Sequence, residues 1–547
     1  MIKPRNIKSN LNIWGILSFI FIFLIVLPNL NIFINIFNEP NENWKHIKKY
    51  LLKEYIINSV TLITFTGLFT ILIGTSLAWL VSVYDFPFRK FLKWGLILPL
   101  SIPPYIAAYT YNGLLNYTGV IQIFLRNSLN ISVDQKYFHI MSMKGSIFIF
   151  TMFLFPYVYI ITKSFLEKQS SALIENARVL GRNPLEIFIY VILPISRVAI
   201  IGGASLVILE VLNDYGVVKY FGVPTFSTAI FKTWFAMGDI DSAVRLSSIL
   251  MMLVVCILIV EKFIRGRKKF SYTTSKISPI SRIKLEGIKG KLAFTYSFLI
   301  FSIGFLIPTI QLIHWTTLTY RKILSAKFLT LMMNSVWIAL ISSILIVVIA
   351  MVIANYCRIN DGLISKMYSK VTVAGYSIPG AVIAIGVIVC FINLDHRMYW
   401  FYKMINPNSA KLVLSTSIVM LIFAYVIRFL AIAYNSVESG FEKVGIKFFE
   451  ASRTLGMGVT ETFFKVDLKM IKPAVLSAFI LVFVDVLKEL PLTLILRPFN
   501  FNTLATKSFE YANDEMIHEA SISSLIIIII SFISIYFFQK AGDKEDK

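Results

Sequence analysis

The sequence predicts an all-α integral membrane protein with about 12 transmembrane helices, arranged as two homologous six-helix halves. Three observations predict this class. Of the 547 residues, 57% are hydrophobic and 15% are charged, and the mean hydropathy is +0.73, so a water-soluble fold could not bury the apolar surface. Apolar runs long enough to cross a bilayer recur along the chain. The second part of the chain repeats motifs of the first.

The apolar runs give the individual spans. A helix needs about 20 mostly apolar residues to cross hydrocarbon. Such runs centre near residues 22, 70, 101, 155, 206 and 255 in the first half, and near 302, 345, 380, 422, 483 and 529 in the second. The first run follows a basic N-terminal segment, but it is too long for a secretory signal and has no small-residue cleavage site, so we expect an uncleaved helix.

The internal repeat keeps one register over most of the chain. At an offset of 275 or 276, three pairs of segments match: Asn58-Ser59-Val60 with Asn334-Ser335-Val336, Ser101-Ile102-Pro103 with Ser377-Ile378-Pro379, and Phe226-x-Thr228-x3-Lys232 with Phe501-x-Thr503-x3-Lys507. We therefore expect a first domain over 1–268, a basic cytoplasmic linker over 269–289, and a second domain over 290–547.

Charge predicts the orientation. Lys and Arg are enriched in cytoplasmic loops, and their distribution favours cytoplasmic N- and C-termini. The formal net charge of +23 then reflects topology in a lipid bilayer, and no nucleic-acid module accompanies it, so we expect no nucleic-acid partner. The chain has no GxxxxGK[ST] loop, so we expect no bound nucleotide or other cofactor, and whether a metal binds stays open.

One polar motif occurs once per half. The first copy contains Glu175, Ala177, Gly181 and Pro194, and the second contains Glu450, Ala451 and Gly456. Before each glycine the residues predict a short amphipathic helix at the cytoplasmic surface, ended by a glycine in the left-handed conformation. Such a helix could simply pack under its own membrane domain. Two copies in register favour docking onto a partner that is itself twofold.

These residues resemble the Glu-Ala-Ala-x3-Gly-x9-Ile-x-Leu-Pro loop of the permease subunits of binding-protein-dependent ABC importers. The second copy departs from the pattern at Ser452 and Lys469, and the first departs from it at Asn176 and Val191. The resemblance covers nearly the whole chain and implies a fused pair of permease domains with the type I ABC importer permease fold. It also implies an ABC ATPase homodimer on the cytoplasmic side, a periplasmic or extracellular substrate-binding protein, and a bacterial inner membrane location.

Substrate class rests on the segments that follow each motif. Residues 212–234 and 488–505 resemble the permeases of ferric iron importers. Thiamine and polyamine permeases remain alternatives, and anion permeases are more distant. An ATPase-independent secondary transporter would also suit repeats and intramembrane acids, but it would leave the motif loops without a role. A membrane enzyme is disfavoured because the five His residues are scattered.

Four carboxylates occupy symmetric positions. Glu210 and Asp214 are i, i+4 on one predicted helix face, and their counterparts at offset 275 are Asp485 and Glu489. A charged side chain at mid-bilayer costs about 2.5 to 3.5 kcal/mol, so such residues usually line a polar path or pair internally. Hard carboxylate oxygens would suit a hard trivalent cation. Pairing with Lys488 or capping of loop amides is the structural alternative.

Overall fold

Nearly all of the chain folds into helices, because in hydrocarbon each segment must satisfy its own backbone N–H and C=O groups. The computed structural model describes residues 13–35, 39–131, 134–167, 172–265, 282–360 and 362–545. The first half contains α1 (Ile13–Asn35), α2 (Glu42–Val83), α3 (Arg89–Gly95), α4 (Pro104–Leu115), α5 (Val120–Leu129), α6 (Met143–Glu167), α7 (Ala172–Val179), α8 (Pro184–Asn213), α9 (Gly216–Tyr220), α10 (Phe226–Phe235) and α11 (Ile240–Arg265).

The second half repeats this order of helices. It contains α12 (Gly287–Ile323), α13 (Ala326–Ile359), α14 (Leu363–Ala374), α15 (Gly380–Ile405), α16 (Ile418–Val444), α17 (Lys447–Thr454), α18 (Val459–Met470), α19 (Lys472–Lys488), α20 (Pro491–Leu496), α21 (Leu504–Asn513) and α22 (Ile517–Glu545). Helices α7 and α17 are the short helices predicted for the two motif copies, and they are called the motif helices below.

The predicted number of spans agrees with the helices that the described residues form. Nine helices are long and apolar enough to cross a membrane, and two bent helix pairs raise the number to 11. A shorter apolar helix over Ile13–Pro28 supplies a twelfth apolar segment. The all-α membrane class and the repeated type I permease fold are therefore confirmed.

Two predicted span centres, at residues 101 and 380, are wrong in detail. Residue 101 ends a 3-10 turn, and the helices on either side of the break before α4 are bent by 94°. Residue 380 begins α15 directly after Pro379. Proline has no N–H and disfavours helical geometry in the residue before it, so both apolar runs are broken at the equivalent place. These breaks open the centre of the protein.

Each half sends its first helix onto the other half. Helix α1 packs against α13 and α15, and α12 packs against α3 and α4. The Ser76 hydroxyl of α2 lies 2.8 Å from the Tyr296 hydroxyl of α12, while the Trp14 indole N–H of α1 donates to Thr460 of α18 at 3.2 Å. This exchange makes the two halves one structural unit.

The predicted linker is only partly described, since residues 269–281 of it lie outside the described residues. Its last residues form strand β2 (Ile283–Lys284), which pairs in parallel with β1 (Tyr84–Asp85) after α2. Ile283 and Leu285 pack on the same apolar cluster as Ala177 of α7. The end of the linker therefore supports the first motif helix.

The third repeat match is in the wrong register. The capping boxes that start α10 and α21 pair Thr225 with Thr228 and Thr503 with Thr506, an offset of 278. Ser59 accepts the Phe226 N–H, and its equivalent in α13 accepts the N–H of Leu504. The second half has three more residues between the starts of α20 and α21 than the first half has between the starts of α9 and α10. The similar Phe-x-Thr strings concealed this insertion in the sequence.

Candidate functional site

Both motif helices end in the same hydrogen-bonded turn. In the first copy the Gly181 N–H donates to the Arg178 carbonyl at 2.9 Å, and the Arg182 N–H donates to the Ala177 carbonyl at 3.1 Å. The second copy repeats both bonds around Gly456. The two glycines have φ angles of 79° and 85°, the left-handed geometry of a Schellman cap. The predicted glycine stop is present in both halves.

The motif helices present a large apolar residue beside each glycine. Leu180 and its counterpart Leu455 are each 80% exposed. Glu175 and Glu450 are also on the exposed side. Each motif therefore combines an exposed leucine with a carboxylate on the same short helix, in two symmetric copies.

The alanines of the two copies are not equivalent. Ala177 is buried under α7, and the residue 275 positions later is Ser452, which is buried under α17. Ala451 is exposed. A small residue is therefore placed against the membrane domain in each half, at Ala177 and Ser452, where a larger side chain would lift the helix.

The helices that follow the motifs differ between the halves. Pro194 is exposed in α8, one residue into the straight part that follows the wide turn Phe188–Ile192. The second half has Lys469 at that place, and its helix breaks later, with a bend of 76° between α18 and α19. The two halves are thus asymmetric where they leave the motifs.

A central pocket lies where α8 and α19 end and where the breaks before α4 and α15 meet. Its volume is about 100 Å³. All four carboxylates predicted from the sequence line it, together with two cations, Arg428 and Lys488. Its wall also includes Tyr105, Tyr157, Asn213 and Tyr376. The internal repeat therefore brings the symmetric acids to one place.

Two of the acids leave the helix face on which they were predicted. Helix α8 ends at Asn213, and Asp214 is extended and accepts the Val217 N–H of α9 at 2.8 Å. Glu489 likewise follows the end of α19 and accepts the Leu492 N–H at 3.1 Å. The short helices α9 and α20 each need an acceptor for their first N–H groups, and these carboxylates supply it.

The remaining acids are bonded within the pocket. The Tyr376 hydroxyl donates to Glu210 at 2.7 Å, and Lys488 lies 2.6 Å from Asp485. The amide-capping role is thus seen at Asp214 and Glu489, and pairing with Lys488 is seen at Asp485. These contacts leave carboxylate oxygens facing the pocket.

Arg428 was missed by the sequence reasoning. Its Nε lies 3.2 Å from Glu489, and it donates to the side-chain oxygen of Asn213 at 2.8 Å. The same oxygen accepts the Gly380 N–H. A single arginine inside the apolar run of α16 was the available signal, because a charge there normally faces a partner or a polar cavity.

The acids of the pocket are spread around its wall. Within the residues that the structure describes, no three His, Cys, Asp or Glu side chains are close enough together to hold a metal ion. In this conformation the pocket offers separated carboxylates rather than a preformed metal cage.

A wider vestibule lies next to the pocket on the side of α10 and α21. It has a volume of about 580 Å³ and is lined by Tyr215, Phe231, Phe509 and the segment 497–502. The rings of Tyr215 and Phe231 stack at 3.6 Å. Asp214 of the pocket and Tyr215 of the vestibule are consecutive residues, so the two cavities share this part of the chain.

Comparisons with known proteins agree with the repeat. The profile of the family described as "Binding-protein-dependent transport system inner membrane component" matches residues 70–262 and again 346–545. The Fe(3+)-transport system permease protein FbpB 2 of Haemophilus influenzae is 26% identical over 501 residues, which cover 90% of this chain and 91% of that protein.

Two other relatives are named for the transport of polyamines rather than of Fe(3+). The spermidine/putrescine transport system permease protein PotB of Haemophilus influenzae is 25% identical over 37% of this chain and 73% of that protein. PotB of Escherichia coli is 26% identical over 33% of this chain and 65% of that protein. With both halves matched by the family profile, the chain belongs to the family of binding-protein-dependent transport system inner membrane components, as a fused pair of permease domains.

Proposed function

We propose that this chain is the membrane-spanning permease subunit of an ATP-driven importer of ferric iron. It forms the translocation path, and an ABC ATPase homodimer on the cytoplasmic side hydrolyses the ATP. A periplasmic or extracellular binding protein delivers the substrate to the outer face of a bacterial inner membrane.

The observation that carries the coupling role is the pair of motif helices. They have identical caps at Gly181 and Gly456, and Leu180 and Leu455 are equally exposed. An exposed leucine on each of two symmetric helices fits one apolar groove on each subunit of a twofold partner. The distribution of Lys and Arg supports a cytoplasmic position for these helices and for both termini.

This geometry supports transport by alternating access. Closure of the ATPase dimer would move the two motif helices together. The first motif helix is joined to the pocket by α8, and the second is joined to it by the bent pair α18–α19. Contacts that now join the halves across the pocket include the hydrogen bonds from Tyr376 to Glu210, from Arg428 to Asn213 and from the Gly380 N–H to Asn213. Movement of the halves would break these bonds and change access to the pocket.

The charge of the pocket favours a cationic substrate. Four carboxylates and two cations line it, a formal charge of −2 when all are ionised. Ferric iron, thiamine and polyamines are cationic, whereas this charge would repel the anions that the sequence left as a more distant alternative. Ferric iron is preferred because the relative named for Fe(3+) transport matches both halves of this chain, over 90% of its length.

The test is uptake by reconstituted vesicles that contain this chain, its ATPase and its binding protein. We expect ATP-dependent uptake of radioactive ferric iron, and loss of uptake when the ATPase is inactivated. The double change Glu210→Gln with Asp485→Asn should slow uptake per assembled complex at least about tenfold, or about 1.4 kcal/mol on the barrier. Glu54→Gln, an exposed carboxylate outside the pocket, is the control.

Three outcomes would contradict the proposal. Uptake of spermidine or thiamine instead of iron would show that ferric iron is not the substrate. Uptake without a working ATPase would identify a secondary transporter. Normal uptake per complex in the double variant would show that these carboxylates do not line the path.

A further inference from the structure

The central pocket is symmetric in its acids but not in its cations. Glu210 and Asp485, and likewise Asp214 and Glu489, are related by the offset of 275. At the same offset Lys488 corresponds to Asn213, and Arg428 corresponds to an aromatic residue, Phe153. Both cations of the pocket therefore come from the second half of the chain.

Each cation neutralises an acid of its own half. Lys488 pairs with Asp485 at 2.6 Å, and Arg428 pairs with Glu489 at 3.2 Å. Glu210 and Asp214 of the first half accept hydrogen bonds from a tyrosine hydroxyl and a backbone N–H. Among the described residues, neither of them lies within 4.0 Å of a Lys, Arg or His nitrogen. The two carboxylates without a direct ion pair are thus both on the first-half wall.

Tyr105 adds an unsatisfied polar group to the pocket wall. It is 3% exposed, and its hydroxyl has no hydrogen-bond partner among the described residues. A buried hydroxyl without a partner is costly, which favours a ligand that satisfies it. At the offset of 276 that relates Ser101-Ile102-Pro103 to Ser377-Ile378-Pro379, the position equivalent to Tyr105 is Ala381, which has no hydroxyl. The hydroxyl therefore belongs only to the first half of the repeat.

We propose that the pocket receives a multivalent cation at the first-half wall, on Glu210, Asp214 and Tyr105, and that Lys488 is a tethered counter-ion. Lys488 neutralises Asp485 while the pocket is empty and competes with the substrate for that carboxylate. Without Lys488, three acids would lack an ion-pair partner and would hold a multivalent cation too tightly for release, so the lysine keeps binding weak enough for transport. This inference rests on the proposed import of a cation.

The test uses terbium(III), a hard trivalent cation whose emission is sensitised by nearby tyrosines. The purified full-length permease is titrated with terbium(III) under tyrosine excitation. Lys488→Met, which makes the formal charge of the pocket more negative by one, should lower the dissociation constant at least about tenfold. Asp485→Asn should raise it by a similar factor. Lys472→Met, an exposed lysine at the start of the same helix, should leave it unchanged.

A double variant separates the charge effect from folding. Asp485→Asn with Lys488→Met restores the formal charge of the wild-type pocket, so its dissociation constant should return to within about threefold of the wild-type value. Glu210→Gln with Asp214→Asn should abolish the saturable emission. Equal or weaker terbium binding by Lys488→Met would overturn the counter-ion role.

Competition with other cations shows which class of cation the pocket binds. Displacement of terbium by gallium citrate but not by spermidine would indicate a compact trivalent metal, and the reverse would indicate a polyamine. Terbium binding by the wild type with no response to Lys488→Met would reject only this inference. No saturable terbium binding, together with no cation uptake in vesicles, would reject the cation pocket and the proposed substrate with it.

Discussion

The guanidinium of Arg358 lies 2.6 Å from a carboxylate oxygen of Asp467, and the two side chains are only 10% and 1% exposed. Arg358 lies in the last turn of α13, and Asp467 lies in α18, within the second copy of the motif loop. The guanidinium also lies over the rings of Phe441 and Phe449, at 4.2 Å and 5.4 Å from their centroids. Since Phe449 belongs to α17, this ion pair fixes the second motif helix to the membrane domain. The first half has Ile192 at the place of Asp467.

Removing one partner of this pair should destabilise the protein strongly. Arg358→Met or Asp467→Ile alone leaves a buried charge without a counter-ion, which costs about 3 to 5 kcal/mol. The double variant, which imitates the apolar first half, should recover most of the loss. Thermal unfolding of the purified variants measures the loss of stability in each single variant and its recovery in the double variant. Lys465→Ala, which breaks the exposed pair with Glu461, should cost at most about 1 kcal/mol. Equal losses in the single and double variants would contradict this account.

The left-handed glycines should be required for partner binding. A Cβ at Gly181 or Gly456 would meet no atom within 4 Å, so the cost of a side chain there is backbone strain alone. Valine at either position should cost about 1 to 2 kcal/mol and shift the exposed leucine. We expect reduced co-purification of the ATPase and reduced uptake.

Asparagine tolerates the left-handed conformation, so Gly181→Asn and Gly456→Asn should retain more binding than the valine variants. Gly458→Ser, in the same loop but at a φ of −67°, is the control and should bind normally. Unchanged ATPase binding in both valine variants would remove the docking role of the motif helices.

Local patterns in the sequence predicted the parts of this molecule that depend on near neighbours. The motif helices, their glycine stops and the symmetric carboxylates all follow from spacing along the chain. Arg428 and Tyr376 could not be assigned to the pocket in that way, because their partners Asn213 and Glu210 lie in the other half. The sequence did not reveal the three-residue insertion before Leu504, because the strings Phe226-x-Thr228 and Phe501-x-Thr503 match by chance at the offset of 275. The capping boxes that start α10 and α21 show the true offset.

The contact between the starts of α2 and α11 should become less stable at low pH through Asp239. Both carboxylate oxygens of Asp239 accept the side-chain amide of Asn41 at 2.9 Å, which ties the start of α2 to the start of α11. Burial alone would raise the pKa of Asp239, but hydrogen bonds from Ser242, Asn43 and Asn41 outweigh it and hold the pKa below its ordinary value.

A lowered pKa means that ionised Asp239 stabilises the fold above the pKa of the unfolded chain, about 3.9, and that this contribution is lost as the pH falls through the folded pKa. Asp239→Asn keeps a capping oxygen but cannot ionise. Its melting temperature should be lower than the wild-type value at pH 7, and the difference should shrink below about pH 4. Asp241→Asn, an exposed residue of the same helix, is the control. A difference that does not depend on pH would contradict the role of the charge.

Gly380 should be required for the polar contacts that join the two halves across the pocket. A Cβ there would lie 3.1 Å from Asn213 Oδ1, 3.2 Å from an Arg428 nitrogen and 3.4 Å from Glu489 Oε1. Gly380→Ala should therefore displace Arg428 from Asn213 and Glu489, and we expect at least about a threefold fall in uptake per assembled complex, or about 0.6 kcal/mol on the barrier.

Gly362→Ala is the matched control, because a Cβ at that position meets no atom within 4 Å and the residue is not left-handed. Uptake is measured in vesicles that contain equal amounts of complex. If both alanine variants transport at the wild-type rate, the contacts between Arg428 and the opposite half do not govern passage through the pocket.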